Sequence, residues 1–466
     1  MEEVERLPPE VWVHVFSYLT TEEKHTVRTC CRYMKTLVDH PFLWKTYTVV
    51  LSDLRRYTYG FWDTLNQRRL TRVAVRHLRR KEWRRLVKFL PTLTAIGFMH
   101  GDKLYREKYL DSLSHFPNLR VFGVRDNIWS GALLSRSLSE HLQERLTHLS
   151  LCNVQVSSTV QLLSTVAHLK NLKFLLFHQI APSIWPDTDT VRPVPRTVFH
   201  HMLVNLKKLK HLSWGMKGEA PKPLDDDYFD PIDFDPSGAA RYIGPTLTSL
   251  ELLDYPESVL PEDALKNLTT LKSLTVHYKY MREGITCRLG SWLNPLQQLE
   301  NLTIIGRNTL ASYTTTLPSS VTRLTLRVGI TLKDMDLIAP AVPGLEHLDI
   351  EQNRSSGSLC KRIPMLFPQL KTLRIRFNRK EPENDLLNLL RLQHLKRLDL
   401  LVDRSFSPQD DMNNHTWPTS SVQKLIDQLR RLSRNRISIV TEIRSRNLLR
   451  ECNCLKDAYR EDDFIS

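Results

Sequence analysis

The sequence has 466 residues, of which 41% are hydrophobic and 25% are charged, and its formal net charge is +15. This length exceeds what one hydrophobic core usually serves, so we expect several domains or a repeat array, and the composition excludes a wholly disordered chain. No apolar run approaches the roughly 20 residues of a membrane span, and the acidic start of the chain does not resemble a secretory signal. We therefore expect the seven cysteines to be reduced thiols, no association with membranes, and a location in the cytoplasm, the nucleus or both.

Two short helices are predicted before residue 45. Four apolar residues recur at four-residue steps and form one stripe of the first helix: Leu7, Val11, Val15 and Leu19. Thr20 and Thr21 are N-cap candidates for the second helix, which keeps three- and four-residue apolar steps as far as Val38 and is broken by Pro41. A helical unit this small cannot bury all its apolar surface, so a partner or the following chain must cover the remainder.

The stretch from Arg55 to Lys88 is strongly basic, with twelve Lys and Arg residues against Asp63 and Glu82. Nucleic-acid binding is one candidate function, because basic patches gain from counterion release. Apolar residues recur through the same stretch, which favours the first repeats of a larger array with Arg stems lying along apolar surface. A surface for an acidic protein is the third interpretation, and nucleic acid is the least favoured.

From residue 70 onward a leucine-rich template, L-x-x-L-x-L with apolar substitutes, occurs thirteen times. Its first positions are Leu70, Leu93, Leu119, Leu146, Leu172, Leu209, Leu247, Leu271, Leu299, Val321, Leu345, Leu370 and Leu395. Ten of the twelve successive spacings fall in the window of about 20–29 residues that leucine-rich repeats show. Each unit predicts a short strand whose alternate side chains fill the interior while the others line a concave face.

The predicted fold class is therefore α/β: a small N-terminal helical unit, then a right-handed leucine-rich-repeat solenoid. A curved parallel β-sheet forms its concave face, and helices and loops form its convex face. A last strand is expected at Ile437–Val440, and the expected boundaries are 1–48, 49–445 and a C-terminal cap or tail at 446–466. An ordinary α/β fold with parallel strands is the alternative, which the near-constant spacing disfavours.

Two longer spacings imply insertions of about a dozen residues each, near 181–200 and 216–240. The second insertion holds six Asp and three aromatic residues between 225 and 235. Both insertions could be solvated loops. A lid or docking loop is the functional alternative, because aromatic side chains are costly to leave in water. Calcium binding is disfavoured, because the spacing is not that of an EF-hand.

The N-terminal pattern resembles an F-box. The residues that carry the resemblance are Leu7-Pro8, Glu10-Val11, the block Val15–Leu19, Cys31-Arg32, Leu37, Pro41 and Leu43–Lys45. In that family the motif binds the Skp adaptor, which attaches the protein to a cullin scaffold that bears the ubiquitin-charging machinery. Two departures from the family pattern are expected to weaken the packing against the adaptor. Met34 stands in place of a common aromatic residue, and Lys24 and His25 stand in place of apolar residues. The alternative for residues 7–45 is a simple N-terminal cap of the solenoid.

The resemblance implies adaptor-binding roles for a defined set of residues. They are Leu7, Pro8, Val11, Val15, Phe16, Leu19, Val27, Cys31, Leu37, Leu43 and Trp44. Followed by the repeats, the pattern is similar to the F-box and leucine-rich-repeat class of substrate receptors. This implies a non-catalytic subunit of an SCF-type ubiquitin ligase that recruits protein substrates.

The sequence offers no catalytic or metal-binding motif to set against this interpretation. It contains no C-x-x-C pair, no Gly-Lys dipeptide for a P-loop, no G-x-S-x-G and no H-E-x-x-H. We therefore expect no cofactor and no catalytic residue of its own. The alternative function is a leucine-rich-repeat scaffold or inhibitor that binds a protein without ubiquitin transfer.

The target is expected on the concave face of the later repeats, where charged residues alternate with apolar ones. The candidates are Arg323, Arg327, Asp349, Glu351, Arg374, Arg376 and Arg397. Charges of opposite sign on neighbouring strands could simply pair across the sheet. The functional hypothesis is that the arginines bind an acidic or phosphorylated segment of a protein substrate, since the guanidinium group matches carboxylate and phosphate.

Overall fold

The computed structural model describes sixteen stretches of the chain: residues 7–51, 57–76, 80–99, 107–129, 131–156, 158–179, 194–215, 227–234, 237, 240–253, 260–278, 287–306, 312–352, 358–376, 383–403 and 420–444. They form two compact units. The first contains the described residues as far as 179 together with 197–209, and the second contains 194–196 and the described residues from 210 to 444. The predicted tail at 446–466 and residues 181–193 of the first insertion lie outside the described residues.

The first unit begins with three helices and a 3-10 turn: α1 (Pro9–Ser17), α2 (Thr21–Cys30), α3 (Arg32–Val38) and the 3-10 helix Pro41–Trp44. Thr20 caps α2 in a capping box with Glu23, as the sequence predicts. The prediction of one continuous second helix as far as Val38 is wrong. Cys31 is extended (φ −161, ψ 167) and its sulfur accepts a hydrogen bond from the Met34 amide at 3.4 Å, so a new helix starts there.

Six parallel strands follow in the first unit, paired in chain order: β1 (Thr48–Leu51), β2 (Arg72–Val75), β3 (Ala95–Met99), β4 (Val121–Trp129), β5 (His148–Val156) and β6 (Phe174–Gln179). The helices of this part of the chain are α4 (Tyr59–Gln67), α5 (Arg80–Phe89), α6 (Glu107–Leu110), α7 (Gly131–Ser137), α8 (Thr159–Val166) and α9 (Arg196–Asn205). Short 3-10 and π turns occupy Asp111–His115 and Leu138–Leu142.

The second unit contains nine parallel strands: β7 (His211–Gly215), then β10 (Ser249–Leu253), β11 (Ser273–His277), β12 (Asn301–Ile305), β13 (Arg323–Ile330), β14 (His347–Gln352), β15 (Thr372–Arg376), β16 (Arg397–Asp403) and β17 (Ser438–Arg444). Between β7 and β10 lies an antiparallel pair, β8 (Ile232–Phe234) and β9 (Ala240–Tyr242). The helices are α10 (Leu289–Leu293), α11 (Leu332–Ala341), α12 (Leu359–Leu366) and α13 (Ser420–Leu432), with 3-10 turns at Thr314–Thr316 and Glu383–Arg391.

The repeat prediction is confirmed strand by strand. Each of the thirteen template positions is followed, two residues later, by the start of a strand, and the predicted last strand is β17. The register aligns one leucine from each of five neighbouring strands: Leu250, Leu274, Leu302, Leu324 and Leu348. All five are at most 2% exposed, so the apolar positions of the template form a continuous core ladder. The fold is an α/β leucine-rich-repeat sheet preceded by a helical domain.

The described part of the acidic insertion is packed, which corrects the interpretation of a solvated loop for these residues. Tyr228 and Phe229 are almost fully buried, whereas Phe234 is 69% exposed. The Tyr228 hydroxyl donates to the Val194 carbonyl at 3.1 Å, and Asp230, also buried, accepts from the Asn267 amide at 3.0 Å. Two of the three aromatic residues therefore anchor the insertion to the repeats.

None of the described helices combines the length and the hydropathy needed to cross a membrane.

Candidate adaptor and substrate interfaces

The first helix carries two apolar faces, and only one of them is covered. Phe16 is 3% exposed and packs near Trp12, with ring centroids 5.6 Å apart. Val11 and Val15 on the other face, and Leu7 two residues before the helix begins, remain 40%, 42% and 45% exposed. Aliphatic side chains that line up on one face and stay partly in water are typical of a surface that meets a partner.

The other predicted adaptor-binding residues divide by burial. Pro8 and Cys31 are exposed, and Leu19 and Val27 are half-buried. The remaining members are buried inside the helical domain: Phe16, Leu37, Leu43 and Trp44. In this conformation the buried residues hold α1 in place rather than offer contact surface, and the adaptor-binding role of the whole set stays a prediction.

Two exposed aromatic residues extend the surface of this domain and were not among the predicted site residues. Tyr18 is 76% exposed and Phe42 is 63% exposed. Tyr18 follows Val15 by three residues, so it continues the exposed stripe at the end of α1. Tyr18 belongs to the Phe16–Leu19 block that carries the F-box resemblance, and its place in that block is the sequence feature that indicates it.

A buried ionic cluster joins the helical domain to the first repeat helix. The Asp39 carboxylate, 7% exposed, accepts from Arg28 Nε at 3.0 Å and from Arg68 Nε at 2.8 Å. Arg68 is 1% exposed, and its guanidinium lies 3.7 Å from the centroid of the Trp44 ring. Burial lowers the pKa of the Arg68 guanidinium, and the adjacent Asp39 opposes this shift. Because Arg68 directly follows α4, the cluster ties α2 and α3 to the start of the repeats.

Lys24 and His25, which depart from the family pattern, serve this interior rather than a partner surface. Lys24 is 2% exposed; its ammonium donates to the Tyr47 hydroxyl at 2.8 Å and lies 5.8 Å from the Trp44 ring centroid. His25 lies beside Trp44, with ring centroids 6.4 Å apart, and desolvation together with the charges of Arg68 and Arg28 lowers its pKa. The Lys24 side chain lies inside the domain, and the expected weakening of adaptor packing by Lys24 and His25 stays a prediction.

The basic stretch also contributes to the fold. Arg85 pairs with Glu82 at 3.0 Å, donates to the Tyr57 carbonyl at 2.9 Å and lies 4.9 Å from the Tyr59 ring centroid. The side of α5 away from the buried Trp83 and Leu86 is exposed and carries Arg80, Lys81, Arg84 and Lys88. Arg55 and Arg56 lie outside the described residues.

On the concave face of the later repeats, several candidate residues pair with one another. Asp349 lies between Arg327 and Arg374, with a nitrogen of each 3.7 Å from its Oδ2. Burial raises the pKa of Asp349, and the two arginines counteract the rise. Arg397 pairs with Asp399 of its own strand at 2.7 Å. The cross-strand pairing that the sequence left as one alternative is thus present.

The remaining candidates surround this group on neighbouring strands. Arg323 is exposed at the start of β13 and Arg376 is half-buried at the end of β15. Glu351 belongs to β14, and its side chain lies outside the described residues. Among the described residues, no group of three or more His, Cys, Asp or Glu side chains is placed to hold a metal ion.

Comparison with known proteins bears on the N-terminal domain. A family model described as F-box-like matches residues 4–49. No curated protein matches the chain. A chain from a solved yeast structure, "Crystal structure of Rad7 and Elc1 complex in yeast", is similar at 12% identity and a TM-score of 0.36, over 88% of this chain and 91% of that chain. A likeness at that level supports no argument about this protein.

The helical domain that presents Leu7, Val11 and Val15 coincides with the matched residues, and the thirteen predicted repeat strands follow it. The chain thus joins a domain that matches an F-box-like model to a leucine-rich-repeat sheet.

Proposed function

We propose that the protein is the substrate-recognition subunit of an SCF-type ubiquitin ligase, with the Skp adaptor bound to its F-box-like domain and the cullin scaffold attached through that adaptor. The observation that carries the proposal is the exposed apolar group formed by Val11 and Val15 of α1 and by Leu7 just before the helix, within residues 4–49. These three partly exposed aliphatic side chains, two of them on one face of α1, would gain free energy on burial against an apolar groove.

In this proposal the chain itself catalyses nothing. Its contribution is proximity: the repeats hold a target, and the adaptor side holds the ubiquitin-charging machinery, so that a lysine of the target meets the ubiquitin thioester often. The Asp39–Arg68 contact supports this role, because it fixes α2 and α3 to the end of α4 through buried charges rather than through a free linker.

The proposed target site is the concave face around Arg323, Arg327, Arg374 and Arg376. Asp349 already neutralises part of this charge, so an acidic or phosphorylated segment would compete with an internal carboxylate. Charge reversal at Arg374 would bring a second carboxylate to Asp349 and disturb the sheet. The neutral variants Arg323→Gln and Arg376→Gln are therefore the better test of target capture.

The proposal is tested by copurification of the adaptor and the cullin with the full-length protein. We expect both to copurify with the wild type and neither with the double variant Val11→Asp, Val15→Asp, because two carboxylates would enter an apolar contact. The matched control is Leu337→Asp on α11, where the leucine is 48% exposed, similar to the two valines. A folded double variant that still recovers both partners would refute the assignment of the stripe.

A scaffold or inhibitor that uses the repeats alone is the second candidate. The pairing of Asp349 with Arg327 and Arg374 favours this second function, because opposite charges on this face already neutralise one another. Ubiquitination of a bound protein that depends on the F-box-like domain separates the two functions. Either function is proposed for the cytoplasm or the nucleus, which imaging of the tagged full-length protein would test.

A further inference from the structure

A row of residues runs along the rim of the sheet, one position before each strand. In the first unit, the amides of Thr147 and Lys173 donate to the carbonyls of Arg120 and Thr147, each at 2.8 Å. In the second unit, Glu300 and Lys371 make the same bonds to Lys272 and Glu346. We call these positions the rim row; they extend the ladder of the parallel sheet by one residue.

In the second unit, two cations of the rim row, Lys272 and Lys371, are paired with rim-row carboxylates of a neighbouring strand, whereas Lys210 donates to the Thr246 carbonyl. The Lys272 ammonium lies 2.8 Å from the Glu300 carboxylate, and the Lys371 ammonium lies 2.6 Å from that of Glu346. In the first unit the corresponding neighbour of Arg120 and Lys173 is Thr147, which has no charge. Across the part of the chain that the structure describes, no carboxylate pairs with Arg120 or Lys173. Arg120 and Lys173 therefore keep a positive charge that no rim-row carboxylate offsets, unlike Lys272 and Lys371.

These two cations line a cavity of about 340 Å³ in the first unit. Arg145 and Lys208 also line it, and Glu144 is its one carboxylate-bearing residue. The cavity thus presents four cationic side chains against one acidic one, at a spot where a small anion can enter from solvent.

Hydrogen bonds hold two of these cations in place without cancelling their charge. The Arg145 guanidinium donates to the carbonyls of Phe116 and His141, which are neutral acceptors. The Lys208 ammonium donates to the Asn171 side chain at 2.6 Å, and the Asn171 amide in turn donates to the Glu144 carbonyl at 2.8 Å. Neutral partners leave the positive potential of the cavity available to a ligand.

We infer that this rim pocket binds a phosphate group, presented by a phosphorylated side chain of a partner protein or as a free phosphate ester. A phosphomonoester carries about −1.5 to −2 charges near neutral pH and three acceptor oxygens, which suits several cations better than one carboxylate does. The inference does not depend on the proposed ligase function, because it concerns a site on the repeats and its test needs no adaptor or cullin.

The test measures binding of two probes to the purified full-length protein: inorganic phosphate and a phosphoserine pentapeptide with Gly and Ala flanks. The unphosphorylated peptide serves as the blank. We expect Lys173→Gln and Arg120→Gln to weaken phosphate binding by about tenfold each, the loss of one charge-assisted hydrogen bond. Lys173→Arg should retain binding. The matched control is Lys272→Gln, which removes a rim-row cation that already has Glu300 as its partner.

A second readout follows His148, which stacks on Phe174 at 5.7 Å beside the pocket. Desolvation and the charges of Arg72 and Lys173 lower the pKa of His148. Bound phosphate offsets the Lys173 charge, so the pKa of His148, followed by nuclear magnetic resonance, should rise in the wild type and stay unchanged in Lys173→Gln.

The two probes also identify the source of the phosphate. Tighter binding of the peptide indicates a phosphorylated partner protein, and equal or tighter binding of inorganic phosphate indicates a free phosphate ester; both outcomes support the site. Three outcomes overturn it: no binding of either phosphate probe at low salt, unchanged binding in Arg120→Gln and Lys173→Gln, or an equal loss in Lys272→Gln. A thermal melt of each variant confirms that the exposed substitutions leave the fold intact.

Discussion

The Asp39–Arg68 contact offers the sharpest test of how the F-box-like domain is joined to the repeats. Asp39→Ala removes the carboxylate from two arginines, of which Arg68 is 1% exposed and Arg28 is 25% exposed. A buried guanidinium that loses its carboxylate destabilises its surroundings by about 3–5 kcal/mol. Arg28 can turn to solvent, so nearly all of this loss should arise at Arg68.

Arg68→Met perturbs the same contact from the other side and should be milder. Asp39 keeps both hydrogen bonds from Arg28, each at 3.0 Å, and the methionine side chain can stay against Trp44. We expect a loss of about 1–2 kcal/mol. In the double variant Asp39→Ala, Arg68→Met, no unpaired guanidinium remains buried at position 68. Its loss of folding stability should therefore be smaller than the sum of the two single-variant losses by at least about 1 kcal/mol.

Hydrogen exchange followed by mass spectrometry is the suitable assay, because repeat arrays need not unfold in one step. Amides of α2, α3 and α4 should exchange faster in Asp39→Ala, while those of β15, β16 and β17 should exchange at the wild-type rate. Wild-type exchange in Asp39→Ala, or additive losses in the double variant, would refute the reasoning that these charges stabilise one another in the interior.

Three further results are expected. Gly306→Ala should destabilise the second unit by about 2 kcal/mol or more in thermal melts, because Gly306 has φ +113° and an added Cβ would lie 2.2 Å from the Tyr278 carbonyl oxygen. The control Gly344→Ala should be close to neutral, because a Cβ added at Gly344 would have no atom within 4 Å. Thr331→Ala should cost about 1 kcal/mol by removing the capping box with Asp334, whereas Ser358→Ala, at a cap without a side-chain hydrogen bond, should cost less. Burial raises the pKa of Asp230 to about 6 from 3.8, so the folded state binds the proton more tightly than the unfolded state does. The insertion should therefore gain stability, on the order of 2–3 kcal/mol, as the pH falls from about 7 to about 4. Thermal melts of Asp230→Asn should lose this pH dependence, and an unchanged dependence would contradict the prediction.

The repeat strands could be predicted because one template recurs with its apolar positions fixed. Strand β1 escaped this pattern: Val49 and Leu51 fill the later apolar positions, but Thr46 stands at the first. The break at Cys31 was equally hidden, because the apolar steps continue on both sides of it. Thr20 was predictable as a cap, since capping depends on residues next to one another in sequence.

The candidate sites show the limit of such patterns more clearly. The exposed Val11 and Val15 of α1 are a local feature that four-residue spacing predicts, whereas Leu7 and Leu19 of the predicted stripe lie outside the helix. The Asp39–Arg68 contact joins residues 29 positions apart, and no local pattern connects them. The rim pocket likewise combines Arg120, Lys173 and Lys208 from three repeats. The missing acidic neighbour in that row becomes apparent only when the strands are aligned in the sheet.

The most direct test of a substrate receptor is whether the proteins held by the repeats receive ubiquitin through the F-box-like domain. Proteins that crosslink to the wild type and to the Val11→Asp, Val15→Asp variant in cells would be compared for attached ubiquitin. We expect the two forms to hold the same proteins and only the wild type to raise their ubiquitination. Equal ubiquitination with both forms, or none with either although the same proteins are bound, would contradict the receptor function; the second result would favour the scaffold.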